Sequence, residues 1–268
     1  MRRTARAWQY ARTLRAALFL LASSGVALAA PEPARFATWP DDTALSLAPR
    51  RLVLGVLSES AWAPSPQLEL RMHPLLFWVL PHIEAKWRWL DAGPWQLSSS
   101  HRISYPTPFL ALVSREGSGG LLPPTTDVPH AVLLASDAVG SFEWNAGQWV
   151  TLRAGAAVAL VGPGDDTMLD FPILYQRFAA LYAPLVPRAS LAANGTLVGR
   201  VAYALEFRHF WLPLDHLPLY WASEYSAEAF IQIGENHRLG AAGRLSVARL
   251  PVGERTHFLP HLDYQLAF

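Results

Sequence analysis

Ser99 and His101 stand two positions apart in the run Ser99-Ser100-His101. On an extended strand, residues i and i+2 share a face, so the imidazole can reach the hydroxyl. A hydroxyl with a base inside hydrogen-bond distance is the core of a nucleophile for acyl transfer. Leu97 and Ile103 fall on the same face, which makes its surroundings apolar. No acidic or amide partner completes a triad, and a polar strand end near lipid headgroups is the competing reading. Asp165, Asp166 and Asp170 gather in the turn-rich stretch 162–170. Hard cations take such oxygen ligands, but the spacing matches no calcium loop, and a solvated loop is the better reading. His209 and His237 stand alone. No zinc spacing, phosphate loop or dinucleotide fingerprint occurs. With no cysteine in the chain, disulfides, thiolate ligands and a cysteine nucleophile are ruled out. No metal and no cofactor is expected, and a non-enzymatic role is favoured over a catalytic one.

The elements that would carry such residues are legible from composition and patterning. Of the 268 residues, 51% are hydrophobic and 16% charged, against roughly 25% charged in typical soluble domains. The formal charge of +1 hides an asymmetry: residues 1–29 hold Arg2, Arg3, Arg6, Arg12 and Arg15 and no acid, leaving 17 basic residues against 21 acidic ones. That balance argues against a nucleic-acid binder, which needs a basic surface. An arginine-rich start, an apolar run over 16–28 and the small residues Ala27 and Ala29 make the three-part pattern of a secretory signal. Cleavage is expected after Ala29, giving a signal at 1–29 and one domain at 30–268.

Beyond residue 30 the longest strongly apolar run is 75–80, far short of the ~20 residues a spanning helix needs. The apolar content must therefore enter a soluble core or a closed barrel, the other structure that satisfies its own backbone in lipid. Long alternating segments point to the barrel, because soluble strands average about 5–6 residues. Leu262, Tyr264, Leu266 and Phe268 oppose Asp263, Gln265 and Ala267. Leu239, Ala241, Leu245 and Val247 oppose Arg238, Ala242, Arg244 and Ser246. Trp221, Tyr225, Ala227, Ala229, Ile231 and Ile233 oppose Glu224, Ser226, Glu228 and Gln232, with Gly234-Glu235-Asn236 as the turn that follows. One fifteen-residue strand is expected over 197–211, with Leu205, Phe207 and Trp211 facing away from Arg200, Glu206 and Arg208. Leu68, Leu70 and Met72 oppose Glu69 and Arg71; Ile83, Ala85, Trp87 and Trp89 oppose Glu84, Lys86 and Arg88; Val150, Leu152 and Ala154 oppose Thr151 and Arg153. Further strands are expected over 51–58 and 130–138, a loop over 114–128, a turn at Asn194-Gly195-Thr196, and either a loop helix or a strand over 171–193. Trp and Tyr cluster near strand ends, as the aromatic girdles of membrane barrels do.

The final strand, apolar at alternate positions and ending on Phe268, resembles the terminal strand of bacterial outer-membrane β-barrels. That resemblance implies a Gram-negative outer membrane, lipid around the barrel, and assembly machinery that reads Leu262, Tyr264, Leu266 and Phe268. The 239 residues after position 29, at roughly 20 per strand and connection, give 12 antiparallel strands, with 10 the next choice; an even number keeps both ends on one side. The opposite faces would then line the lumen with Glu69, Arg71, Glu84, Lys86, Arg88, Arg102, Arg153, Arg200, Glu206, Arg208, Glu224, Glu228, Arg238 and Arg244. Such a lumen either conducts, with a preference for anions, or is filled by salt bridges. Some outer-membrane barrels are lipid hydrolases with a His-x-Ser pair on the lipid-facing side of a strand; the pair Ser99 and His101 resembles it in reversed order. A soluble periplasmic β-sandwich that binds a ligand is the remaining alternative.

Overall fold

The computed structural model describes residues 35–115, 128, 130–161, 176–181, 183, 185–212, 220–250 and 253–268. The expected signal with its cleavage residues Ala27 and Ala29, the acidic stretch 162–170 and most of the loop 114–128 lie outside these residues. Twelve strands form one antiparallel sheet that closes on itself. They are β1 Leu52–Gly55, β2 Ser60–Trp62, β3 Leu68–Met72, β4 His82–Ala92, β5 Trp95–Ser104, β6 Val132–Asn145, β7 Gln148–Val161, β8 Val186–Val198, β9 Val201–Leu212, β10 Tyr220–Ile233, β11 His237–Leu250 and β12 Gly253–Ala267. Each strand pairs with its sequence neighbours, and β1 pairs with β12 to complete the ring. The sandwich alternative is thereby excluded, because no second sheet exists among the described residues. Among them, too, no helix is long and apolar enough to cross a membrane.

Closure is made at the chain end. Phe268 N–H donates to the Leu52 carbonyl at 2.8 Å, and Leu52 N–H to the Phe268 carbonyl at 3.2 Å. Val53 faces Ala267 and Gly55 faces Gln265 in the register that follows. Closing a sheet removes its free edges, and with them the unpaired backbone groups that an apolar solvent cannot satisfy.

The two ends of the barrel differ. Short connections join β4 to β5, β6 to β7, β8 to β9 and β10 to β11 on the side where β1 begins and β12 stops. The strand ends joined by the longer connections, β3 to β4, β5 to β6, β7 to β8 and β9 to β10, are at the other end. The expected single strand over 197–211 is two strands, β8 and β9, joined by a tight turn at Gly199-Arg200. Gly199 has a φ of +53°, which glycine adopts without steric cost, and the apolar alternation running across it concealed the break. Asn194-Gly195-Thr196 is strand rather than turn and lies inside β8. A bulge between Arg88 and Leu90 in β4 resets the alternation, so that Asp91 faces inward after Arg88.

The outward face is apolar. Trp62, Ile83, Trp87, Leu97, Ile103, Leu152, Leu191, Leu205, Phe207, Ile231, Leu239, Phe258 and Leu262 are all exposed. Large contiguous apolar surfaces of this kind are rare on soluble monomers. The buried charged residues, by contrast, face inward: Glu69, Arg71, Glu84, Lys86 and Arg88 are all nearly or fully buried.

Two further pieces of chain fill the lumen. At the short-turn end, residues 35–50 enter it and double back, with Ala37 bridging Leu47. Their Ala37, Trp39, Leu45 and Leu47 pack with Val53, Ala61, Trp149 and Ala267. At the long-loop end, helix α1 (Thr107–Val113) and a 3-10 turn (Ala179–Leu181) bring Leu110, Val113, Phe178 and Leu181 against Phe210, Leu212, Ala222 and Leu250.

Candidate functional site

Between these two fillings lies a chamber of about 420 Å³, lined by charged side chains and, toward the long-loop end, by apolar ones such as Leu80, Phe178 and Phe210. Its wall carries seven arginines, namely Arg71, Arg102, Arg153, Arg177, Arg188, Arg208 and Arg244, against the carboxylates of Asp42, Glu59, Glu84 and Asp137. The strands place them by alternation. Ser190, Arg208, Glu224 and Ser246 come from four neighbouring strands at one level, and Ala192, Glu206, Ser226 and Arg244 from the level beside it.

Most of these arginines are paired. Arg71 Nε donates to Glu69 at 2.6 Å. Arg102 holds Glu84 and Glu59 at 2.7 and 2.6 Å. Both nitrogens of a fork on Arg188 meet Asp137, at 2.8 and 2.6 Å. Arg208 closes on Glu206 at 2.7 Å, and Arg177 on Glu224 at 2.6 Å. Glu59, in the connection between β1 and β2, feels burial that would raise its carboxyl, but the Arg102 guanidinium beside it holds it below the ordinary range. Arg244 has no carboxylate within ion-pair distance among the described residues. Arg153 Nε and Gln176 Oε1 are buried without a hydrogen-bond partner among them. Once the partners Glu69, Glu206 and Glu224 are counted, the arginines of the wall meet as many carboxylates. The cationic character therefore rests on Arg244, unpaired among the described residues, and on the unpartnered Arg153 Nε. Such guanidinium groups suit a small anion, because arginine forks match planar oxyanions.

The segment 35–50 is tied to the same wall by polar contacts. Glu69 accepts from the Leu47 N–H at 2.7 Å, and the buried Lys86 ammonium donates to the Leu45 carbonyl. Arg88 donates to the Arg35 carbonyl at 2.7 Å, the Arg35 N–H donates to Asp91 at 2.7 Å, and its guanidinium pairs with Glu143. Ser141 Oγ accepts from the Ala44 N–H at 2.7 Å.

The expected lumen residues divide accordingly. Glu69, Arg71, Glu84, Lys86, Arg88, Arg102, Arg153, Glu206, Arg208, Glu224, Glu228, Arg238 and Arg244 lie on inward positions of their strands. Arg200 does not: it is exposed in the β8–β9 turn, where the chain reverses before the wall begins again at Val201. Asp42, Asp137, Gln176, Arg177 and Arg188 were missed. Asp137 and Arg188 sit at alternating inward positions and could have been found from the pattern. Asp42 and Gln176 lie outside any strand, and nothing local marks them as lumenal.

Ser99 and His101 lie on the outward face of β5. His101 Nε2 is 3.0 Å from Ser99 Oγ, and His101 Nδ1 is 2.8 Å from Ser136 Oγ on β6. Either neutral tautomer satisfies both contacts, since a hydroxyl can donate or accept; with the hydrogen on Nδ1, Nε2 is left to accept the Ser99 proton. Trp89 Nε1–H also donates to Ser99 Oγ, at 2.9 Å, and Ser99 is only 5% exposed. A second pair, His209 Nδ1 and Ser223 Oγ at 2.9 Å, faces outward between β9 and β10. Leu262, Tyr264 and Leu266 occupy the outward face of β12, and Phe268, just past its end, is exposed.

Fold and interior together define a closed twelve-stranded β-barrel with a filled lumen and an internal arginine-rich chamber. No known protein family matches the chain by sequence, and no curated protein does. Among solved structures it is similar to OmpT, an outer membrane protein of Vibrio cholerae folded in vitro, at a TM-score of 0.44 and 6% identity over 78% of this chain and 63% of that one. It is similar also to the loop L8 deletion mutant of the same protein, at 0.42 and 7% identity over 82% and 60%. A third is OccAB2 of Acinetobacter baumannii, at 0.38 and 10% identity over 78% and 53%. The chain thus spans 53–63% of the length of these structures.

Proposed function

We propose that this chain is a bacterial outer-membrane β-barrel, inserted by assembly machinery that reads its last strand, whose lumen binds and admits small anionic solutes. The outward apolar band supports the membrane location, since it matches what lipid requires of a barrel wall. The observation that carries the solute class is the chamber wall, seven arginines with Arg244 left unpaired among the described residues. Liposomes carrying the full chain test it. Swelling in sodium succinate should outrun swelling in a neutral sugar of similar size, and Arg244→Glu should remove the difference. Swelling equal to that of protein-free liposomes would leave a purely structural barrel.

A second reading rests on the Ser99–His101–Ser136 chain of hydrogen bonds. It has the order of nucleophile, base and orienting group that acyl transfer uses, on the face that lipid acyl esters would reach. Opposing it, Ser99 is covered by Trp89, and a polar network on a lipid-facing wall also serves simply to satisfy its own members. Phospholipid turnover by outer-membrane vesicles that is lost in Ser99→Ala would establish this reading. Turnover unchanged by the substitution would remove it.

A further inference from the structure

Asp42 is a carboxylate that the chain itself delivers into the chamber. It lines the cavity, its side chain is 48% exposed there, and Oδ1 lies 3.1 Å from Arg153 Nη2. Asp137 also stands near Arg153, at 3.8 Å, but both of its oxygens are already engaged by Arg188. Asp42 is therefore the closer partner of Arg153. The turn that carries it is held like a bound ligand: the Asp41 carbonyl accepts from Arg71 at 2.7 Å, and Asp41 Oδ2 accepts from Asn194 at 3.3 Å. The deeper part of the segment is anchored elsewhere, through Leu45, Leu47 and Arg35.

We propose that Asp42 is an internal competitor: through Arg153 it occupies the place that a small dicarboxylate or phosphate takes in the chamber, and the arriving anion displaces it and loosens the 38–43 turn. This rests on the reading of the chamber as an anion site. The Asp42–Arg153 pair is made by one contact, against the two-pronged grip of Arg188 on Asp137, and so is the easier of the two to exchange. A free dianion can place two oxygens on the Arg153 guanidinium, whose Nε has no partner among the described residues. The anchors at Leu45, Leu47 and Arg35 keep the rest of the segment in place, so displacement is confined to the turn. A ligand that binds only when a competitor is absent has its affinity reduced by the fraction of open sites.

Two measurements on the full chain, folded in detergent, test this. In the first, calorimetry follows binding of sodium succinate, with inorganic phosphate as the second probe and sodium chloride matching ionic strength. Asp42→Asn should bind succinate about three- to ten-fold more tightly than the native chain, and Arg153→Gln should bind it more weakly. In the second, Thr38→Cys supplies the only thiol in a chain that has none, at an exposed position of the turn. Maleimide labelling should accelerate saturably with succinate, and not in Thr38→Cys combined with Arg153→Gln. Equal binding by native chain and Asp42→Asn, or labelling indifferent to succinate, would overturn the competitor while leaving the anion site. Absence of succinate and phosphate binding in every chain would overturn the anion site and the competitor together. If unheated gel mobility shows Asp42→Asn unfolded, the labelling experiment alone decides.

Discussion

Arg177, on the segment that follows β7, grips Glu224 of β10 with both prongs: Nη1 to Oε1 is 2.6 Å and Nη2 to Oε2 is 2.9 Å. Gln176 beside it donates to the same carboxylate at 2.6 Å. These bonds fasten the long-loop filling to the wall, and Glu224 is 4% exposed. Arg177→Gln leaves that carboxylate short of its main cation. Removing one member of a buried pair costs about 3 kcal/mol at the low end of the range, appropriate here because Arg177 is partly exposed. Urea titration of the heat-dependent gel shift should register the loss. A midpoint within error of the native chain would mean that the filling is held by its apolar contacts alone.

Gly155 faces Asp137 across β6 and β7. A Cβ built on it falls onto the Ser136 carbonyl oxygen and Asp137 Oδ1. Gly155→Ala must push backbone, not a flexible side-chain tip, and overpacking of this kind costs about 3 kcal/mol. It should also pull Asp137 away from Arg188, so Asp137→Asn and Gly155→Ala are expected to be less than additive in denaturant titrations.

Ser136 Oγ and His101 Nδ1 share a hydrogen bond on the apolar outer face. Ser136→Ala leaves that imidazole nitrogen without a partner there, a loss of about 1–3 kcal/mol. Ser136→Thr keeps the hydroxyl and should recover most of it. Equal losses in the two variants would argue against the hydrogen bond.

Asp42 carries a pH dependence. Burial acts to raise its carboxyl, but Arg153, then Arg208 and Arg71, hold it at about 2, against an ordinary value of 3.8. A depressed folded value means that ionised Asp42 contributes fully above pH 3.8 and that this contribution fades as pH falls through about 2. Labelling of Thr38→Cys with an acid-tolerant thiol reagent should therefore accelerate between about pH 4 and about pH 2. In Asp42→Asn the rate should already be high and show no step in that window.

Phe268 exchanges two backbone bonds with Leu52 at the seam and shows its ring to the outside. Deleting it should slow assembly in cells more than it weakens the folded barrel. Pulse-chase recovery of the heat-shifted form would fall, while its urea midpoint would move little. A large midpoint shift with normal assembly kinetics would assign Phe268 to the seam alone.

The sequence alone carried the class of fold and the two faces of most strands. Period-two alternation is local, so Leu239 against Arg238, or Ile83 against Glu84, can be read without knowing the neighbouring strand. The turn at Gly234 was legible for the same reason, since glycine at a positive φ, here +69°, leaves a mark in the chain itself. Long-range features were not legible. The break at Gly199-Arg200 lies within uninterrupted alternation. The bulge at Arg88 and Leu90 exists only relative to β5. Ser136 meets His101 from 35 positions away, and Asp42 reaches Arg153 from 111. Strand register and barrel closure determine these meetings. Only the tertiary structure could decide that residues 35–50 fold into the lumen, because what fills a barrel depends on the space its closed wall encloses and on the charges that wall turns inward.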